Sequence, residues 1–161
     1  MNIFFLDRTP TTCAQYHNDK HVVKMVIEYA QLLSTAHRVL DGDERADSLG
    51  LYKTAMKNHP CTIWARETSD NYMWLYEHFY ALCSEYTTRY GREHLSFTKL
   101  NDKLCNLPLH IPISHKTTMP QAMPDEYKCQ DPIKAYRDYV VSEKHYAKWN
   151  KIPERQPTWW C

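Results

Sequence analysis

The chain has 161 residues but only three glycines, Gly42, Gly50 and Gly91. All-β folds reverse direction often and lean on glycine at their turns, so this sequence lacks the material for a sandwich or barrel. Helices need glycine mainly where they stop, and Gly42 and Gly91 each follow a run of helical periodicity. The expected class is mainly α. The reading is a single compact domain over residues 1–161, with three to five helices, a long Pro-rich loop and an irregular C-terminal tail.

Periodicity places the elements. Residues 2–6 (NIFFL) are a short apolar run expected to lie extended on the core. Thr9-Pro10 is a helix-start signature, with Thr at the cap and Pro first inside. From there to Leu40 the spacing of Val22, Met25, Tyr29, Leu32, Ala36 and Leu40 predicts a buried helical stripe, with a break near Asn18-Asp19. Residues 41–50 read as an acidic loop, and 51–57 as a short helix stopped by Asn58-His59-Pro60. A long helix is predicted over 69–90, with Tyr72, Leu75, Phe79, Leu82 and Tyr86 on one face. A shorter one covers 93–104. The four prolines between 105 and 130 dictate a long irregular but packed excursion, and a last helix spans 131–149.

The six cysteines show no C-x-x-C, and the N-terminus lacks a secretory signal. They read as reduced thiols of a cytoplasmic protein, in the host cytoplasm if the source is viral. No apolar run is long enough to span a membrane. There is no Walker loop, G-x-G-x-x-G, G-x-S-x-G or zinc-deaminase signature, so no cofactor is expected.

Three constellations could carry chemistry. His21, Lys24, Glu28, Gln31 and Thr35 follow one another at three- and four-residue steps along the first long helix. A carboxylate beside a buried stripe suits acid/base work, although a solvated face with a Lys24–Glu28 pair explains the same pattern. Cys13, His17 and His21 are spaced i, i+4, i+8, but eight residues of helix span about 12 Å, too far for all three to hold one ion. No metal site is expected there, and a zinc enzyme using His17 and His21 is a remote alternative. Finally, Lys134, Arg137, Lys144 and Lys148 form a basic stripe continued by Lys151 and Arg155, beside Trp149, Trp159 and Trp160. Such interleaving can hold phosphates and stack bases. A solvated face would look alike, and the formal net charge of +1 announces no nucleic-acid binder.

Read together, these segments resemble one family. Asp19-Lys20-His21 with Glu28 seven residues after His21, in NDKHVVKMVIEYAQLLSTAHRVL, is similar to the first long helix of the phage pyrimidine-dimer DNA glycosylases of endonuclease V type. The ending Lys151-Ile152, Arg155 and Pro157-Thr158-Trp159-Trp160 looks like that family's tail, and PQAMPDEY (120–127) like its stretch before the last helix. The chain thus resembles a divergent member. The resemblance implies a glycosylase acting on a damaged or modified pyrimidine in double-stranded DNA as a monomer, with possible AP-lyase chemistry. The nucleophile would be the α-amine of Met1, Glu28 the catalytic carboxylate, and His21 a neighbour that orients the sugar or the carboxylate. Asn2, Lys24, Gln31, Lys148, Lys151, Trp159 and Trp160 would contact DNA. Where the family carries arginines beside the glutamate and in the last helix, this sequence has Ile27, Gln31 and Ala147. A non-catalytic nucleic-acid or nucleotide-binding relative on the same scaffold is the alternative.

Overall fold

The computed structural model describes residues 2–161. Among them are seven α-helices and no strand: α1 Pro10–Tyr16, α2 Asp19–Asp41, α3 Asp43–Ser48, α4 Pro60–Glu67, α5 Ser69–Tyr90, α6 Leu95–Leu104 and α7 Pro132–Glu143. Two short 3-10 turns, Asp125–Tyr127 and Pro153–Arg155, complete the regular structure. The all-α class holds, with more and shorter helices than the three to five expected.

The break at residue 18 is built by side chains. Asn18 Oδ1 accepts the His21 N–H at 3.0 Å, capping α2, while Thr9 stands at the α1 cap position without a side-chain bond. Gly42, at φ 91°, ends α2 and begins α3. The predicted acidic loop is therefore partly a helix. Its order comes from Arg38, whose buried guanidinium donates to Asp43, Asp47 and the carbonyls of Leu51 and Tyr52. The predicted helix over 51–57 is absent; those residues run irregularly, and Ala55 N–H donates to Thr35 Oγ1. Pro60 does not stop a helix but starts one. Its fixed φ suits the first turn of α4, and His59 Nδ1 caps by accepting the Cys61 N–H at 3.1 Å.

Helix α5 follows the predicted span, between a Thr68 cap and Gly91 at φ 70°. It packs along α2 and α1, and α4 lies against both α2 and α5. Tyr29, Tyr72, Phe79 and Tyr136 are the largest fully buried side chains of the resulting core. The Pro-rich excursion is pinned: the Asp41 carboxylate accepts the Leu109 and His110 N–H groups, and Asn71 exchanges bonds with Thr117. Helix α7 ends at Glu143, six residues short of the predicted end, as Lys144 leaves helical geometry at φ −108°, ψ 49°. Among the described residues no helix is long and apolar enough to cross a membrane.

Candidate active site and nucleic-acid surface

The site is built around the first described residues. Residues 3–6 are buried without belonging to helix or sheet, so their backbone groups need partners from elsewhere. Tyr29 Oη donates to the Ile3 carbonyl, Cys13 Sγ to the Phe4 carbonyl at 3.4 Å, and Arg137 Nε to the Leu6 carbonyl at 2.9 Å. Asn2 Nδ2 donates to the Ala122 carbonyl at 2.7 Å, and the Ile3 backbone bonds the Cys61 thiol. Phe4 takes a positive φ of 53°, uncommon for a bulky residue and tolerated here because these bonds fix the segment on both sides. Met1, named above as the nucleophile, lies outside the described residues.

Glu28 sits half-buried on α2, one residue before the Tyr29 that holds Ile3. Lys24, one turn back and exposed, places Nζ 3.5 Å from Glu28 Oε1. Across from it stands His59. Partial burial lowers the His59 pKa, and the Glu28 carboxylate pulls it the other way. Because His59 Nδ1 accepts a backbone N–H, its neutral form carries the proton on Nε2. The Ile3 backbone, through the Cys61 thiol, and Glu28, through its field at His59, thus both bear on the start of α4. The sequence reading missed His59, which looked like part of a helix stop; the cap position before a proline was the available signal.

His21 packs against the N-terminal segment. It lies seven residues before Glu28, about 10 Å along the same face of α2. Its ring stacks on Phe4 at 4.5 Å, and Nε2 lies 3.0 Å from Tyr146 Oη. Desolvation, with His17, Lys144 and Lys24 nearby, lowers its pKa to about 3. A neutral ring of this kind buttresses the N-terminal segment. Gln31, one turn beyond Glu28, is half-buried.

The predicted basic stripe does not survive as one. Lys144, Lys148, Lys151 and Arg155 fall outside α7. Lys134 is paired with Asp138, Arg137 with Leu6 and Asp7, and Arg155 with Glu85. Trp159 and Trp160 are half-buried on the core, Trp159 edge-on to Tyr16 at 5.7 Å and Trp160 to the buried Trp149 at 5.1 Å. What gathers instead, near the first turn of α2, is a set of lysines over tyrosine rings: Lys20 on Tyr146, Lys144 on Tyr139 and Lys151 on Tyr90, at 4.9–5.2 Å. Exposed Lys148 joins them through its carbonyl, which accepts the Asp19 N–H. A groove of about 670 Å³ between α1 and α5, lined by Gln15, Tyr76 and Tyr80 among others, contains none of the predicted residues.

Cys13 and His17 are brought together not with His21 but with His78 of α5. No characterised protein matches this chain. No solved structure does so either. The family model for pyrimidine dimer DNA glycosylases matches residues 1–98, which hold Glu28, His59 and the N-terminal segment. With more than half its length matched, the chain belongs to the pyrimidine dimer DNA glycosylase family.

Proposed function

We propose that this protein excises a damaged or modified pyrimidine from double-stranded DNA through an imine formed by its own N-terminal amine, with Glu28 as the catalytic carboxylate. The observation that carries the reading is the anchoring of residues 2–6. A buried, irregular segment held by Tyr29, Cys13, Arg137 and Asn2 leads back to the turn of α2 that bears Glu28. An α-amine suits the task, because its pKa near 7.7–8.0 leaves roughly a few hundred times more of it neutral at pH 7 than a lysine.

The amine bonds to the sugar C1′ as the bond from C1′ to the base breaks, and the base leaves with a proton. The sugar ring then opens, its oxygen taking a proton as the imine forms. Loss of the C2′ proton and the 3′-phosphate by β-elimination cuts the strand, which is the AP-lyase step. Glu28 stabilises the positive charge that develops at C1′ and receives or returns protons. His59, protonated on Nε2 when neutral, is a hydrogen-bond donor to the opened sugar or the departing base. His21 acts as a positioning residue behind Phe4.

The lysine–tyrosine surface, together with the tail that carries Trp159 and Trp160, is the DNA contact. From Asp19 to Glu28 α2 rises about 14 Å, roughly four base steps of one strand. One bound duplex can therefore reach both the surface and Glu28. Borohydride tests the mechanism by reducing the imine to a stable cross-link. A covalent adduct is expected on ultraviolet-treated or abasic DNA and should vanish when the N-terminus is chemically blocked; an adduct that survives blocking overturns the mechanism. Glu28→Gln should lower excision by about 10²–10⁴-fold. The alternative, a binding-only relative, draws on Ile27 and Gln31 standing where the family has arginines. It predicts DNA binding with no excision, and no change in Glu28→Gln.

A further inference from the structure

Beneath the N-terminal segment, away from Glu28, three potential metal ligands meet in the core. Cys13 and His17, one turn apart at the end of α1, face His78 of α5, and all three are fully buried. One ligand atom from each lies within 4.8 Å of the other two. We propose that Cys13 Sγ, His17 Nε2 and His78 Nε2 bind one divalent ion of the zinc type, which clamps α1 to α5 under the N-terminal segment.

Proton accounting points to the ion. His17 Nδ1 lies 2.8 Å from the Cys13 carbonyl, and His78 Nδ1 lies 3.3 Å from the Pro10 carbonyl. A carbonyl only accepts, so both Nδ1 atoms carry the proton, and both Nε2 lone pairs are left facing inward. Burial keeps both rings neutral, with His17 lowered to about 4 and His78 well below its ordinary value. His78 Nε2 faces Cys13 Sγ at 3.7 Å, and His17 Nε2 faces Tyr29 Oη at 3.0 Å. The cluster has two movable protons, on Cys13 and Tyr29. It has four acceptors for them: the carbonyls of Ile3 and Phe4 and the two Nε2 atoms. Two buried acceptors are left over, a costly arrangement for groups shut away from water. A cation bound by the sulfur and both Nε2 atoms satisfies both nitrogens and cuts the deficit from two acceptors to one, the Phe4 carbonyl that loses the Cys13 proton.

The surroundings match what a metal-bound histidine needs, since the second ring nitrogen of each is fixed by a carbonyl. Bond lengths of about 2.3 Å to sulfur and 2.0–2.1 Å to nitrogen put tetrahedral S–N ligand pairs roughly 3.6 Å apart, close to the Cys13–His78 separation of 3.7 Å. Tyr29, donating to Ile3, can turn an oxygen lone pair toward the fourth position. On binding, the Cys13 thiol proton passes to solvent as the metal–sulfur bond forms, and both imidazoles bind neutral. Fully buried, with Tyr29 against the fourth position, the site is structural and independent of the glycosylase reading.

The test uses the full chain, purified without chelator from zinc-supplemented cells. Elemental analysis should find about one zinc per chain. After chelation, titration with cobalt alone should raise a thiolate-to-cobalt charge-transfer band that saturates near one equivalent and is missing in Cys13→Ser. Should that variant fail to fold, the wild-type chain still decides. A cobalt band together with a melting temperature that falls on chelation and returns with zinc supports the site. Folded protein with no zinc, no band and a chelator-insensitive melting temperature overturns it, leaving a core hydrogen-bond cluster only.

Discussion

The two ends of the chain are both irregular, yet they are held in opposite ways. Residues 3–6 are buried and fixed mainly by side chains of other elements, Tyr29, Cys13 and Arg137, with the Phe4 N–H turned back to Asn2 Oδ1. The last residues, from 145 on, are largely exposed and rest on the core mainly through aromatic rings. A buried irregular segment must have every polar group matched, so its position is over-determined. An exposed one is free to choose water, and its lysines stay available to phosphates. Under the mechanism proposed above, the difference would give rigid placement to the N-terminal end and electrostatic contact to the other. One acid, Glu85, is held both by the buried Arg89 of α5, below the N-terminal segment, and by Arg155 of the tail, so single substitutions set a buried anchor against an exposed one.

Arg89 carries the largest expected effect. Its fully buried guanidinium donates to Glu85, Asp19 and the carbonyls of Gln15 and His17, joining α1, α2 and α5 below the N-terminal segment. Arg89→Leu leaves the 7 % exposed Glu85 side chain without that partner and should cost about 3–5 kcal/mol in urea denaturation. The tail's Arg155 binds the same Glu85 at 3.0 Å but is 31 % exposed, so Arg155→Ala should cost only about 0.2–1 kcal/mol. Equal losses would show that burial does not separate the two ends.

Arg137 spans the contrast. It donates to the Leu6 carbonyl and lies over Tyr16 and Trp159 of the opposite end. Removing a charge-assisted bond to a buried carbonyl should cost about 1–3 kcal/mol. Arg137→Ala should slow imine trapping and weaken DNA binding together, whereas lysine substitutions in the tail affect binding alone. Trapping measured at saturating DNA separates the two.

His21 supplies the pH dependence. Its folded pKa of about 3 lies below the ordinary 6.5, so the unfolded chain takes up a proton that the folded one refuses. Stability contributed by the neutral ring is full above pH 6.5 and falls as pH drops toward 3, by about 1.4 kcal/mol per pH unit. His21→Gln should flatten the melting-temperature profile in that window. The groups that surround the ring, His17, Lys24, Lys144 and Tyr146, remain in the variant. An unaltered slope would place the acid sensitivity elsewhere.

How much of this was legible follows from the range of the interactions. Helices α2 and α5 were readable because apolar periodicity and glycine stops are local signals, and the Lys24–Glu28 pair is an i,i+4 relation. Helix α3 was not, since its acidic residues order around Arg38 of α2 through tertiary bonds. Pro60 carries the same letter whether it ends a helix or opens one; only the His59 cap separates the two. His59 comes within the field of Glu28, and His78 meets Cys13 and His17, through packing between helices that spacing cannot express. The basic stripe failed because it assumed a helix through residue 149, while α7 ends at Glu143.

The smallest effect belongs to the tail. Lys151 is exposed over Tyr90, and only its backbone N–H is committed, to Asp19. Lys151→Ala should change stability by no more than about 0.5 kcal/mol. If its ammonium neutralises one phosphate, the slope of log affinity against log salt should become shallower by about 0.9. Borohydride trapping at saturating DNA should stay at the wild-type level. Lys148→Ala should repeat that pattern, and the double variant should add the two slope changes, because exposed side chains without shared partners act independently. A slope unchanged in both variants would move the DNA contact off this surface and onto Lys20, Lys24 and Lys144 nearer His21. A loss of trapping in either one would instead tie the tail to the chemistry and erase the division between the two ends.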